Sequence, residues 1–213
     1  MKKKKRGVLK KIVVILVLAV ILIIGILLYR VKSQVDEVNA WRPTVHQVTQ
    51  ELGVADYEDL VLSIILTETK GDHIDLMQSS ESKYGETDQI TNSEESIKTG
   101  VIHLTEVLTE AERQEVDIWT GVQAYNFGSN YIPYVKQHGG KHSVELAEKY
   151  SKEVLAPMLG NTTEKTYRYL SLRAFKYNRG HLYENGGNFF YAELVRSNMG
   201  LMDKLSHLPW IDD

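Results

Sequence analysis

Residues 12–29 read I-V-V-I-L-V-L-A-V-I-L-I-I-G-I-L-L-Y, eighteen positions without a charge. At about 1.5 Å of rise per helical residue this stretch is about 27 Å long, just enough for a bilayer core of roughly 30 Å. Inside lipid every backbone polar group must be bonded within the chain, which leaves a helix as the form for a single span. Lys2 to Arg6, Lys10 and Lys11 precede the run. Basic residues stay on the cytoplasmic side, so residues 1–11 are expected to be a cytoplasmic tail, with everything after Tyr29 outside the cell. A cleaved signal peptide would be shorter in its apolar part and would end in small residues. Here Arg30-Val31-Lys32-Ser33-Gln34 comes next, which favours an uncleaved single-pass anchor over residues 12–29. A polar connector is expected over 30–42 and one domain over 43–213.

Charge is divided unevenly along the chain. Of the 25 Lys and Arg, nine lie in residues 1–32, where no acid is found, so all 28 Asp and Glu share the remainder with 16 bases. An outer domain this acidic does not suit nucleic acid, whose phosphates need a basic surface. The chain has no cysteine, which excludes disulfides, thiolate nucleophiles, zinc–thiolate sites and a lipid anchor on cysteine. Seven His are scattered without an H-E-x-x-H pattern, and neither a phosphate-binding glycine loop nor G-x-S-x-G is found. No metal and no cofactor are expected.

Beyond Pro43 the apolar residues recur at intervals of three and four, and no strand-like alternation persists, so the domain is expected to be all-α. Asp56 is placed to cap a helix from Tyr57 to about Thr69, with Tyr57, Val61, Ile64 and Ile65 on one face and Gly71 as its stop. Asn92 followed by Glu95 is a capping-box pattern opening a helix through Ile97, Val101, Leu104 and Leu108. Further helices are expected from Asp117 to Gly128, from Ser143 to about Leu155, and from about Phe189 to Leu205. A Tyr-rich segment, 166–177, and a turn at Gly186-Gly187 precede the last one.

Glu68 continues the apolar face of the first of these helices. A carboxyl at the inner edge of such a face is partly desolvated, which raises its pKa and suits it to act as a general acid near neutral pH. On position alone a solvent-facing Glu at a helix end is the commoner outcome. The neighbouring segment changes the balance: Asp72 to Ser82 packs amide, hydroxyl and carboxylate groups into an aperiodic stretch directly behind Glu68, as binding loops on rigid helices do. Farther on, Ala124-Tyr125-Asn126-Phe127-Gly128 ends a helix.

Glu68, Asp75-Leu-Met-Gln-Ser-Ser-Glu-Ser82 and Ala124-Tyr-Asn-Phe-Gly128 together resemble the lysozyme-like family of Gram-positive bacteria. That family includes the muramidase domain of bifunctional wall hydrolases of conjugative elements and pneumococcal vaccine antigen A-type proteins. The resemblance runs from about Val45 to Met199 and extends more distantly to lytic transglycosylases and goose-type lysozymes. It implies a lysozyme-like helical domain that cleaves the β-1,4 bond between N-acetylmuramic acid and N-acetylglucosamine, with peptidoglycan glycan strands as substrate. By the same resemblance Glu68 is the catalytic acid, and Gln78, Ser79, Ser80, Tyr125, Asn126 and Tyr191 line the sugar groove. Asp75 and Glu81 are the candidates for a second carboxylate. A two-carboxylate hydrolysis and an attack by the sugar's own 6-hydroxyl, which needs one Glu, both stay open. The bifunctional relatives add a peptidase with a catalytic cysteine; with no cysteine here, that activity is not expected. A different class of reading is a catalytically weak wall-binding or scaffold module in a division, wall-synthesis or conjugation complex.

Overall fold

In the computed structural model, which describes residues 2–80 and 89–207, helix α1 runs without a break over Lys2–Asn39. Its apolar part, Ile12 to Tyr29, is exposed along its whole length. Among the described residues it is the one helix long and apolar enough to cross a membrane, with a mean hydropathy of 3.5. The expected polar connector over 30–42 is not there. Residues 30–39 are helical, and Val35 and Val38 are core residues packed with the domain. The sequence hid this because two apolar side chains one turn apart, among Lys, Gln, Asp and Glu, make too narrow a stripe to read as a buried face.

Pro43 sits in the first turn of α2 (Arg42–Glu51), where its fixed φ and missing N–H cost nothing. A 3-10 turn over Ala55–Tyr57 leads into α3 (Glu58–Glu68). Asp56 therefore does not cap α3; Tyr57 holds the N-cap position and makes no side-chain cap bond. The start of α3 is tied down from α2 instead, by Arg42 to Glu58 at 2.6 Å and to Asp59 at 2.9 Å, with His46 against Glu58 at 2.8 Å.

α3 is the central element. Leu60 through Leu66 are buried without interruption, not along one face only. α1, α2 and the last helix, α9 (Tyr191–Ser206), all pack on it. Such a helix is shielded from water on every side until its final turn, which is where Glu68 stands.

α4 (Ser93–Arg113) opens as expected, with the Asn92 side chain accepting from the Glu95 N–H at 2.8 Å. α5 (Ile118–Phe127) is capped by Asp117 and α7 (Val144–Tyr150) by Ser143. Between them lies α6 (Tyr131–Gln137). α7 passes into a π-helical turn, Ser151–Leu155, and one last turn, Ala156–Met158. The Tyr-rich segment holds strand β1 (Thr166–Arg168) and helix α8 (Leu172–Asn178). β1 pairs antiparallel with β2 (His181–Tyr183), Tyr167 opposite Leu182. This two-stranded ribbon is the whole of the sheet structure among the described residues, and the domain is all-α.

Candidate active site

Glu68 is the last residue of α3, and its chain exit is sharply bent. Lys70 and Gly71 both have positive φ, at 60° and 84°. At Gly71 a side chain would also press on the α1 backbone at Glu37 and Val38, at 3.1 Å, so glycine is required both for the turn and for the close approach. The loop beyond Gly71 is thereby packed against the base of the anchor helix while Glu68 stays at its edge.

Tyr191, the first residue of α9, donates its hydroxyl to Glu68 Oε1 at 2.6 Å. The Tyr191 ring is buried and lies parallel to Tyr125, with centroids 6.1 Å apart. Tyr125 in turn donates its hydroxyl to the Met77 carbonyl at 2.9 Å. The outer side of Tyr125 meets His103 of α4 at 5.0 Å between rings. Three helices and the loop thus converge on one carboxyl. Burial pushes the Glu68 carboxyl up to about 7; the negative charge of Asp75 adds to the rise, while the Tyr191 bond and Lys70 oppose it. Burial and, after it, the charge of Glu68 push both phenols well above their usual range, with Asp75 adding to the rise at Tyr125, so both remain donors.

Asp75 takes a different place from the one expected of a second catalytic carboxylate. It is 3% exposed. Its Oδ1 accepts from the Ser79 N–H at 2.9 Å and the Ser96 hydroxyl at 2.6 Å, and its Oδ2 from the Ser80 N–H at 3.0 Å and hydroxyl at 2.7 Å. Burial works to raise its pKa, but these donors, Ser96 and Ser80 foremost, hold it below the usual carboxylate range. Asp75 organises the loop.

Ser79 and Ser80 are correspondingly buried and turned inward, not lining a groove. Gln78 is exposed, with φ at 50° and its amide donating to the Asp75 carbonyl at 3.1 Å. Asn126 is exposed, and its Oδ1 accepts from the Asn188 N–H at 2.8 Å. Of the expected groove residues, Gln78 and Asn126 face solvent, Tyr125 is half-buried, and Tyr191 contacts the acid itself. Glu81 lies outside the described residues. Among those described, no three or more His, Asp or Glu side chains come together as a metal site.

Several contributors were not singled out in the sequence. Ser96 accepts from the Met77 N–H while donating to Asp75. Gln123, buried in α5, donates to the Asn188 carbonyl at 2.9 Å and accepts from the Ala192 N–H at 3.1 Å, fixing the start of α9 and so Tyr191. A Gln within an apolar helix was the available signal. Gly100 is another: a Cβ there would meet Met77 Sδ at 2.5 Å and Cβ at 2.7 Å. A glycine in a helix interior costs up to about 1 kcal/mol relative to Ala, so it marks a close approach. Gly100→Ala is expected to destabilise the domain by about 1–3 kcal/mol through overpacking, despite its better helix propensity. Thermal unfolding of the two forms checks this.

A lysozyme-like family model matches residues 35–199. Pneumococcal vaccine antigen A of Streptococcus pneumoniae serotype 4 is 45% identical over 190 residues, covering 89% of this chain and 93% of the relative. The bifunctional muramidase/DL-endopeptidase CwlT of Bacillus subtilis is 35% identical over 124 residues, 58% of this chain and 37% of that one. A crystal structure from Staphylococcus aureus Mu50, described as similar to lipoprotein of the NLP/P60 family, superposes with a TM-score of 0.70 at 39% identity over 77% of this chain; the chain spans about half of that protein, 52%. The match begins at Val35, the first core residue of α1, and ends within α9. The chain belongs to the lysozyme-like family.

Proposed function

We propose that this protein is a membrane-anchored muramidase that cleaves the β-1,4 bond between N-acetylmuramic acid and N-acetylglucosamine in peptidoglycan. The observation that carries the reading is Glu68: a carboxyl at the end of a buried helix, with its pKa pushed up to about 7 and its geometry set by Tyr191. A leaving sugar alkoxide needs a proton as the C1–O4 bond breaks, and a carboxyl that is still protonated near neutrality supplies it. The basic flank of α1 supports an orientation with its N-terminal end in the cytoplasm and the domain outside, on the side of the wall.

The saturation of Asp75 favours a single-carboxylate route. Protonated Glu68 gives its proton to the bridging oxygen, and the N-acetylglucosamine leaves with its 4-hydroxyl restored. The Glu68 carboxylate then takes the proton of the muramic acid 6-hydroxyl as that oxygen bonds to C1. This closes a 1,6-anhydro ring and returns Glu68 to its acid form. Digestion of purified peptidoglycan by the detergent-solubilised full chain, with products weighed by mass spectrometry, tests this. Muropeptides lighter by one water than the hydrolysis products support the route. Hydrated products return the second step to a water activated by another carboxylate, with Glu81 the remaining candidate, and an absence of soluble products refutes the enzyme.

The acid form is the active one at the first step, so kcat/KM is expected to fall with rising pH through about 7, by roughly tenfold per pH unit beyond it. In Tyr191→Phe the hydroxyl that favours the carboxylate is gone. The alkaline limb of kcat/KM should therefore move to higher pH, with its plateau lower by about tenfold or less, the worth of one hydrogen bond. A profile whose limb stays in place would detach Tyr191 from the titration of Glu68.

A further inference from the structure

Cleavage uses α3, the loop behind it, α5 and the start of α9, and leaves a second unusual surface without a role. Leu170 is 96% exposed, Leu172 83% and Phe175 66%. Leu170 lies in the connection between β1 and α8, and Leu172 and Phe175, three residues apart in α8, share a helix face. The inward side of α8 is Ala174, which is buried. Exposed singly, such residues need no explanation, but a contiguous patch marks an interaction surface. Around it stand Arg168, Arg173, Lys176 and Arg179, all exposed, with Arg173 also meeting Glu193 at 3.5 Å. From Lys165 to Tyr183 there are five Lys or Arg and no acid, in a domain where acids dominate.

The position of this patch relative to the anchor says what covers it. Tyr169 lines a cleft of about 250 Å³ together with Val31, Gln34 and Val35 of α1. It also lines the recess formed by Leu170, Leu172 and Phe175. Val31 lies about 3 Å along the helix beyond Tyr29 and Gln34 about 8 Å. The headgroup layer outside the hydrocarbon is about 5–8 Å deep. Tyr169 thus sits beside α1 at headgroup depth, and the apolar patch is its immediate neighbour.

We propose that the β1–α8 segment is a second membrane contact. Leu170, Leu172 and Phe175 enter the outer leaflet of the same bilayer that α1 spans, while Arg168, Lys176 and Arg179 meet anionic lipid headgroups. The chemistry is that of an interfacial amphipathic helix: apolar side chains on the lipid side, cations at phosphate level, and aromatic rings at the boundary. Tyr167 and Tyr177, half-exposed on either side, supply those rings. Two attachment points, one spanning and one lying on the surface, hold the domain in one orientation. The proposal rests on the reading of α1 as a membrane span.

The absence of cysteine allows a clean test on the full chain in vesicles of phosphatidylcholine and phosphatidylglycerol. An environment-sensitive fluorophore is attached at Leu172→Cys, at Leu170→Cys, or at Ile21→Cys within the span. Nitroxides on the lipid chains should quench most of the fluorescence at all three sites, and aqueous iodide should quench none of them efficiently. Adding Arg168→Glu with Lys176→Glu should restore iodide access at Leu172 and Leu170 and leave Ile21 unchanged. Labels at 170 and 172 that iodide reaches freely, while the Ile21 label is lipid-quenched, overturn the proposal and leave the anchor standing. An Ile21 label that lipid does not quench overturns both. Shielding at 170 and 172 that grows with protein-to-lipid ratio assigns the patch to a second copy. Shielding that arises only on adding glycan strands assigns it to substrate. Either result overturns the membrane contact.

Discussion

Glu68→Gln is expected to lower the rate of muropeptide release by at least about 10², the lower range of what positioned proton transfer supplies, while leaving the fold intact. Gln matches the shape of Glu and can still accept from the Tyr191 hydroxyl, now at 2.6 Å from Oε1, but it has no proton to give. The change should also stabilise the protein in a pH-dependent way. The folded carboxyl titrates near 7 against 4.5 for the free group, so between those values the folded state binds more protons than the unfolded one. Wild-type stability must then fall as pH rises through this window. The difference amounts to roughly 3 kcal/mol above pH 7. Glu68→Gln does not titrate, so its unfolding temperature should exceed that of the wild type by several degrees at pH 8 and by little at pH 4.5. Near-normal muropeptide release by the variant would move the acid elsewhere. A pH-independent difference in stability would mean that Glu68 is not the desolvated carboxyl.

Asp75→Asn should act in the opposite sense on stability, and more strongly. Asp75 gathers donors from Ser79, Ser80 and Ser96 on its two oxygens in a buried setting. An amide turns one of those acceptors into a donor pointing at other donors. Breaking a buried charged hydrogen-bond cluster costs about 3–5 kcal/mol, and the loop carrying Met77 and Gln78 should loosen with it. The folded pKa of Asp75 is depressed, so its contribution is present above the unfolded value of about 3.9 and is lost as pH falls through the folded one. The gap between wild type and variant should be full at pH 7 and narrow as pH falls below the unfolded value. Activity should drop along with stability, and Ser96→Ala should reproduce part of both losses. An Asp75→Asn protein as stable as the wild type but inactive would restore Asp75 to the chemistry.

These two residues also mark how far the sequence could be read. The helices were legible because their signals are local: Asn92 with Glu95, Asp117 and Ser143 as caps, Gly128 as a stop. Glu68 stood out through the polar segment behind it and through the family resemblance, since a helix-end position alone points more often to a solvent-facing Glu. Asp75 was not legible, since whether a carboxylate in a polar loop faces substrate or collects serine donors depends on Ser96, twenty-one residues away on another helix. The same holds for Tyr191, whose partner Glu68 is 123 residues distant. Asp56 looked like a cap but lost to the ion pairs from α2, and a central helix buried on every side resembles an amphipathic one when only its strongest stripe is counted. Long-range closure is what periodicity and spacing do not carry.

The unbroken course of α1 bears on whether the domain can be shed. Proteases bind extended chain, so cutting a helix requires it to open locally first. Between Tyr29 at the edge of the span and Val35 in the core there is room for little more than one helical turn. A cut there must unwind residues held by lipid on one side and by packing on the other. A cut closer to the domain would remove Val35 or Val38 and strip part of the core from the released piece. With α1 spanning the membrane as proposed, a flexible linker would let a protease free the domain; a helix shared by membrane and core makes retention at the membrane the default.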